Sequence, residues 1–150
     1  MERNELIAVI EDLVETLEDD RKGFEMASER LADDGHPDLA DVMIDLSSQR
    51  QMFSTELRNV AADKGITIDN GGTVAGTLSR GWMALGDALT GDDPHIVLAA
   101  AENAEDHTVG EYQRVLDRSD LGELRPIIES QASQVQQAHD QVRSLRDSVS

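Results

Sequence analysis

The stretch ETLEDDRKGFE (residues 15–25) places a carboxylate within an otherwise apolar helical stripe. Counted in steps of three and four, the apolar positions on both sides of Asp20 continue one helix face, and Asp20 occupies that face itself. The stripe comprises Leu6, Ile10, Leu13, Leu17, Asp20, Phe24, Ala27 and Leu31. Because a buried carboxylate needs a cationic or metal partner, the stretch predicts that further polar side chains reach the same level of the core.

Composition favours one helical domain spanning residues 1–150. Aromatic residues make up only 3% of the chain and proline occurs three times, whereas Ala, Leu, Glu, Asp, Gln and Arg are abundant. Such a composition is typical of helices, and a chain of this length can bury a single core. With no cysteine, the sequence excludes disulfides, thiolate metal sites and cysteine nucleophiles.

The formal net charge of -18 argues against two classes of partner. Nucleic acids and anionic membrane surfaces attract basic proteins, so neither is expected to bind here. The sequence also lacks an apolar run of about 18 residues, and we therefore expect a cytoplasmic protein. Lysine is rare, with only Lys22 and Lys64. This acidic surface serves either solubility alone or adaptation to high salt, where screening weakens self-repulsion.

Four long amphipathic segments predict an antiparallel four-helix bundle. The first spans about residues 4–31 and the second about residues 37–63. The third follows Asp92 or Asp93 as a cap, with Pro94 in its first turn. The last begins at Leu121 and keeps the most regular heptad of the chain. Alternating steps of three and four are what the seam of a helical bundle requires.

The connection between the second and third long helices is about 30 residues long, which exceeds a tight turn between neighbours. Residues 73–89 within it carry a short amphipathic helix pattern that includes Trp82. A single long crossover at this place predicts ferritin-like topology. The alternative is a simple up-down bundle with residues 73–89 packed across it as a fifth helix.

Each long helix interrupts its stripe once, at Asp20, Arg50, Glu105 and Gln131. With a rise of about 1.5 Å per residue, Asp20 and Arg50 lie about 21 and 23 Å from the first turn. Glu105 and Gln131 lie about 22 and 17 Å from the last turn. We therefore predict one polar layer at mid-height of the core, with the Arg50 guanidinium binding one or two carboxylates.

A di-metal site is the alternative interpretation of such a layer. It would use Asp20, Glu56, Glu102 and Glu105 to hold iron or another divalent metal. Sites of this kind take Glu-x-x-His from two helices, and the sequence contains no such motif. His107 and His139 have no ligand-spaced partner and are expected to be exposed or to cap helices. We favour a salt-bridged layer without a metal or another cofactor, since a guanidinium repels a cation.

Five stretches along the chain resemble a family of uncharacterised bacterial ferritin-like four-helix-bundle proteins. They are LIAVIEDLVETLEDDRKGF, SQRQMFSTEL, GTVAGTLSRGWMALGDALTG, AENAEDHTVGEY and QASQVQQAHDQVRSLRD. The resemblance implies a ferritin-like helical fold without an assigned activity, and it suggests an association with stress. The sequence departs from the iron-oxidising ferritins at the Glu-x-x-His positions.

These observations predict a non-catalytic structural or interaction protein. The alternative is a metal-binding oxidase of the di-iron type, or an iron-handling protein. Small residues and four methionines could leave apolar surface for a partner, so a homo-oligomer is a further expectation. The methionines are Met26, Met43, Met52 and Met83.

Overall fold

A computed structural model describes residues 1–68, Trp82 and residues 93–149 of the chain. It contains four long helices, as the stripes predict, and the regular structure of the described residues is entirely helical. The helices are α1 (Arg3–Asp33), α2 (Pro37–Asp63), α3 (Pro94–Leu116) and α4 (Arg125–Ser148), with a 3-10 turn at Gly122–Leu124. The short helix predicted over residues 73–89 lies outside the described residues, apart from Trp82.

Glycine, proline and aspartate set the helix boundaries near residues 35 and 93. Gly35 has a φ of 85°, which suits glycine, and it reverses the chain between α1 and α2. Pro37 then stands in the first turn of α2, where its missing N–H is not needed. At the start of α3, the Asp93 side chain accepts a hydrogen bond of 2.9 Å from the backbone N–H of His95.

The last long helix begins four residues later than the sequence predicts. Leu121 was expected as its first core position, but α4 starts at Arg125 after the 3-10 turn. Gly122, with a φ of 54°, favours the turn, and Pro126 is suited to the first turn of the following helix. Leu121 and Leu124 are nevertheless buried, so the apolar pattern continues across the change of backbone conformation.

The core consists of two apolar clusters, and α1 packs against both α2 and α3 while α3 packs against α4. The first cluster includes Ile10, Leu13, Leu57, Tyr112 and Ile128. The second includes Phe24, Leu31, Met43, Trp82, Leu98 and Val142. Along each of α1, α2 and α3, a buried charged residue lies where one cluster gives way to the other. None of the helices that the structure describes is long and apolar enough to cross a membrane.

Two serine hydroxyls join α1 to α2 outside the apolar clusters. Ser47 donates a hydrogen bond of 3.0 Å to the carbonyl oxygen of Arg21. Ser28 donates one of 2.8 Å to the carbonyl oxygen of Ala40. Hydrogen bonds to backbone oxygens at two heights fix how far one helix is shifted along the other, which sets the relative level of the charged residues of α1 and α2.

Candidate functional site

Arg50 of α2 lies at the centre of a buried ion-pair cluster. Its side chain is fully buried, and Nη1 donates to Asp20 Oδ2 at 2.7 Å and to Glu105 Oε1 at 2.5 Å. Nη2 donates to Glu105 Oε2 at 2.9 Å, which makes the contact with Glu105 bidentate. We refer to Asp20, Arg50 and Glu105 as the core triad. It joins α1, α2 and α3 through charged hydrogen bonds.

Asp20 accepts two further hydrogen bonds, from Thr108 and Trp82. Thr108 of α3 donates to Asp20 Oδ2 at 2.6 Å, and the indole N–H of Trp82 donates to Asp20 Oδ1 at 3.3 Å. Both carboxylate oxygens of Asp20 and both of Glu105 thus accept at least one hydrogen bond. The carboxylates are satisfied within the protein although they are almost inaccessible to water.

Aromatic rings enclose the triad on the side of Phe24 and Trp82. The Arg50 guanidinium carbon lies 5.3 Å from the centroid of the Phe24 ring, a cation–π distance. The Trp82 ring meets Phe24 edge to face, with centroids 4.9 Å apart and an interplanar angle of 76°. Gly23 makes this packing feasible, because a Cβ atom there would lie 2.1 Å from Trp82 Cδ2.

Burial dominates the electrostatics of the triad carboxyls. It raises the pKa of Asp20, although the Arg50 guanidinium and the hydrogen bonds from Thr108, Arg50 and Trp82 oppose the shift. Burial likewise raises the pKa of Glu105, against the effect of Arg50. Burial alone would lower the pKa of Arg50, but Glu105 and Asp20 outweigh it and raise that pKa. One permanent positive charge therefore faces two carboxyls in a medium of low polarity.

Gln131 of α4 is buried, but it belongs to a neighbouring network. Its amide oxygen accepts from Tyr112 OH at 2.7 Å, and its amide nitrogen donates to Glu56 Oε1 at 2.7 Å and to the Phe53 carbonyl at 3.3 Å. Burial raises the pKa of Tyr112, which stays a neutral donor. Because α4 starts at Arg125, Gln131 lies only about 9 Å along it, closer to the α3–α4 turn than the predicted layer requires.

The structure does not gather the four carboxylates of the alternative di-metal site. Asp20 and Glu105 share the Arg50 guanidinium. Glu56 accepts a hydrogen bond from Gln131, and Glu102 is paired with Arg146 of α4. These four side chains do not form a metal-ligand cluster among the described residues.

His139 is a residue whose surroundings the sequence did not reveal. It was expected to be exposed or capping, but only 12% of its side chain is accessible. Its Nε2 lies 2.6 Å from Asp106 Oδ1, and its Nδ1 lies 3.3 Å from Asp140 Oδ1. Glu102, Asp106 and His139 bring potential ligand atoms within 4.8 Å of one another. The i, i+4 spacing of Glu102 and Asp106 was visible in the sequence, but the register of α4 against α3 was not.

Hydrogen bonding and charge set the protonation of His139. Partial burial lowers its pKa, but the hydrogen bonds to Asp140 and Asp106 and the charges of Asp106 and Glu102 outweigh burial and raise the pKa overall. The imidazole therefore lies in an electronegative environment between α3 and α4.

The chain belongs to a family of unknown function, described as Domain of unknown function (DUF2383), whose match covers residues 5–118. The matched region includes α2, α3 and all of α1 except its first two residues, and therefore all three members of the core triad. His139 and Gln131 of α4 lie beyond it. No curated protein matches the sequence.

Proposed function

We propose that this chain is a non-catalytic structural or interaction protein whose core triad takes the place of a metal centre and fixes the register of its helices. The observation that carries the proposal is the fully buried Arg50 guanidinium, bound to one carboxylate from α1 and one from α3. A guanidinium at this position supplies the positive charge that two buried carboxylates need.

The core triad is suited to specifying helix register. Sliding α1 against α2 by one helical turn, about 5.4 Å, would separate Asp20 from Arg50 and leave buried charges unpaired. Apolar contacts in the two clusters are less directional and would tolerate such a shift better. Buried polar groups have this registry role in other helical assemblies.

We further propose that the helices form an antiparallel four-helix bundle of ferritin-like topology. The proposal rests on four long helices, on the contacts of α1 with α2 and α3, and on those of α3 with α4. The resemblance noted in the sequence also supports it and suggests an association with stress. The alternative di-iron oxidase has weaker support, because Arg50 occupies the space between Asp20 and Glu105.

Substituting Arg50 tests the proposed role. We expect Arg50→Met to leave Asp20 and Glu105 unpaired in the core and to lower the free energy of unfolding by about 3–5 kcal/mol. A triple variant with Asp20→Leu, Arg50→Met and Glu105→Leu removes all three charges and should lose far less. Chemical denaturation of metal-free protein, followed by circular dichroism, measures both changes.

Arg114→Met is the matched control, because the Arg114 side chain is 70% exposed and the same substitution there should change stability by less than about 0.5 kcal/mol. A neutral Arg50→Met substitution would contradict the structural role. Iron oxidation by the wild-type protein, abolished by Glu105→Gln but not by Asp106→Asn, would instead support the di-iron alternative.

A further inference from the structure

Glu102 and Asp106 of α3 and His139 of α4 lie outside the core triad and carry groups that bind metals. We propose that these three side chains bind one divalent first-row transition-metal ion, which would bridge α3 and α4, and that the Arg146 guanidinium holds Glu102 in the metal-free protein. We refer to the three residues as the α3–α4 cluster. The inference concerns a separate site and does not depend on the function proposed for the core triad.

The geometry of the α3–α4 cluster is compatible with a bound ion. One carboxylate oxygen of each acid and one ring nitrogen of His139 lie within 4.8 Å of one another. Metal–ligand distances of about 2.0–2.2 Å need the donor atoms about 3–4 Å apart. His139 Nε2 and Asp106 Oδ1, now 2.6 Å apart, must therefore separate slightly. The Asp106 side chain is 62% exposed, so it is free to make this adjustment.

Glu102 provides a second observation that indicates a ligand. This residue is only 9% exposed, and its Oε2 atom is buried. The Arg146 guanidinium contacts the same oxygen as an ion pair. A buried carboxylate oxygen that depends on one partly exposed cation is available to another cation that approaches from the surface.

Asp140 orients the imidazole of His139. In metal sites, a carboxylate often orients a metal-bound histidine in the same way, by accepting a hydrogen bond from the ring nitrogen that does not bind the metal. Its Oδ1 lies 3.3 Å from His139 Nδ1, so that Nδ1 can donate while Nε2 faces Asp106. Gln136 donates a hydrogen bond of 3.1 Å to the same oxygen and positions it. A carboxylate on the far ring nitrogen fixes the tautomer and increases the basicity of the ligating nitrogen.

The ligand set determines which ions fit. Two carboxylates and one imidazole suit Zn²⁺, Fe²⁺, Co²⁺ or Ni²⁺, whereas Ca²⁺ and Mg²⁺ prefer oxygen ligands alone. Three protein ligands leave further coordination positions for water. The net charge of -18 raises the local concentration of cations around the chain. We choose Zn²⁺ as the probe because it accepts both imidazole and carboxylate ligands.

Isothermal titration of the chelator-treated full chain with Zn²⁺ at pH 7.5 tests the site. We expect one bound equivalent, with affinity lowered at least tenfold in both His139→Ala and Asp106→Asn. Asp140→Asn should weaken binding about 10- to 100-fold, since it removes the outer partner of the imidazole. In histidine NMR spectra, Zn²⁺ should shift the ring signals of His139. Circular dichroism confirms that each variant is folded.

Two matched substitutions complete the design. His107→Ala removes a histidine that is 55% exposed on α3, and it should leave Zn²⁺ affinity unchanged. Arg146→Ala and Arg143→Ala each remove one positive charge from α4, and only Arg146→Ala should increase the affinity, because only Arg146 is paired with Glu102.

Three outcomes would overturn the proposal. The first is wild-type protein that binds no Zn²⁺ at millimolar concentration. The second is unchanged affinity in the His139→Ala variant, and the third is equal affinity in the two arginine variants. Loss of binding in Glu105→Gln with retention in His139→Ala would place the metal at the core triad, and would contradict the function proposed above as well.

Discussion

Asp19, the neighbour of Asp20, shows how burial and like charges act on a single residue of α1. Burial, followed by the Asp20 and Glu15 carboxylates, raises the pKa of Asp19 from 3.8 to about 6, although Lys22 and His107 act in the opposite direction. The native state therefore holds a proton on Asp19 at pH values where the unfolded chain has released it. Ionising Asp19 in the folded protein has a free-energy cost.

We predict that Asp19 makes the protein less stable as pH rises from about 4 to about 7. Over this range the native state binds more protons at Asp19 than the unfolded state does, so the free energy of unfolding falls with increasing pH. Above about pH 7 both states have lost the proton, and the contribution becomes constant.

The Asp19→Asn variant isolates this effect. Its stability relative to wild type should increase between pH 4 and pH 7 and then level off. Urea unfolding at half-unit intervals of pH provides the comparison. The raised pKa values of Asp20 and Glu105 affect both proteins alike and largely cancel in the difference. A stability difference that does not vary with pH would contradict the prediction.

At the scale of single residues, the sequence was informative where a polar residue interrupted an apolar stripe. Asp20, Arg50 and Glu105 stood on the inward faces of their helices. Distances counted along each helix from the adjoining turn predicted that the three residues lie at the same height in the core. Trp82 and Thr108, which also form hydrogen bonds with Asp20, were harder to recognise in the sequence. Trp82 lies in the long connection, so its approach to Asp20 depended on tertiary packing. Thr108 had an ordinary place in the stripe of α3, and only the structure reveals its hydrogen bond to Asp20.

Gly23 and Gly110 occupy interior positions of α1 and α3, where glycine weakens a helix in the absence of a packing requirement. Their surroundings differ completely. A Cβ atom at Gly23 would collide with Trp82 Cδ2 and Cε2 at 2.1 and 2.2 Å, whereas one at Gly110 would meet nothing within 4 Å. Gly23 therefore permits close packing of an indole ring on α1, and Gly110 has no such role.

We predict opposite effects of alanine at the two positions. Gly23→Ala should lower the free energy of unfolding by about 1–3 kcal/mol, because the fully buried Trp82 ring must move away from Asp20 and Phe24. Gly110→Ala should raise it by about 0.5–1 kcal/mol through helix propensity. Thermal and denaturant unfolding of both variants test this pair. Equal stabilisation by the two substitutions would contradict the prediction, because it would show that the Trp82 ring can move without a free-energy cost.

Helix periodicity predicted the bounds of the helices more accurately than the heights at which their residues lie in the core. The bounds of α2 agree with those expected, and α1 extends only slightly beyond its predicted range. The start of α4 was wrong, because the apolar heptad continues through a 3-10 turn that periodicity does not distinguish from a helix. Because of that error of four residues, Gln131 was predicted to lie at the level of Asp20, Arg50 and Glu105. In the structure it forms hydrogen bonds with Tyr112 and Glu56 instead.

For the whole molecule, the dominant property is an excess of negative charge. The chain has 31 acidic residues against 13 basic ones. The core triad includes two of the acidic residues and one of the basic residues, so almost all of the excess lies elsewhere. Repulsion among exposed carboxylates destabilises a compact state and is weakened by dissolved ions, whereas buried pairs are screened much less.

We therefore predict that the melting temperature rises with potassium chloride. The Debye length falls from about 30 Å at 0.01 M salt to about 3 Å at 1 M, which suppresses repulsion across the surface. Calorimetry in dilute and molar salt measures the change, and sodium chloride should give the same rise if screening is the cause. The destabilisation caused by Arg50→Met should persist in both salts. A melting temperature that is independent of salt would contradict adaptation to high salt.

Trp82 is the only tryptophan of the chain, and it is fully enclosed beside Asp20, Gly23 and Phe24. The indole fluorescence of the native protein thus arises from one chromophore at one place, in direct contact with the core triad. Emission from this ring responds to the polarity and electric field around it, whereas far-ultraviolet dichroism responds to the helical backbone. A state in which water has entered the triad while the helices persist would change the first signal and preserve the second. The protein therefore carries an intrinsic optical reporter of its buried ion pairs and needs no attached dye.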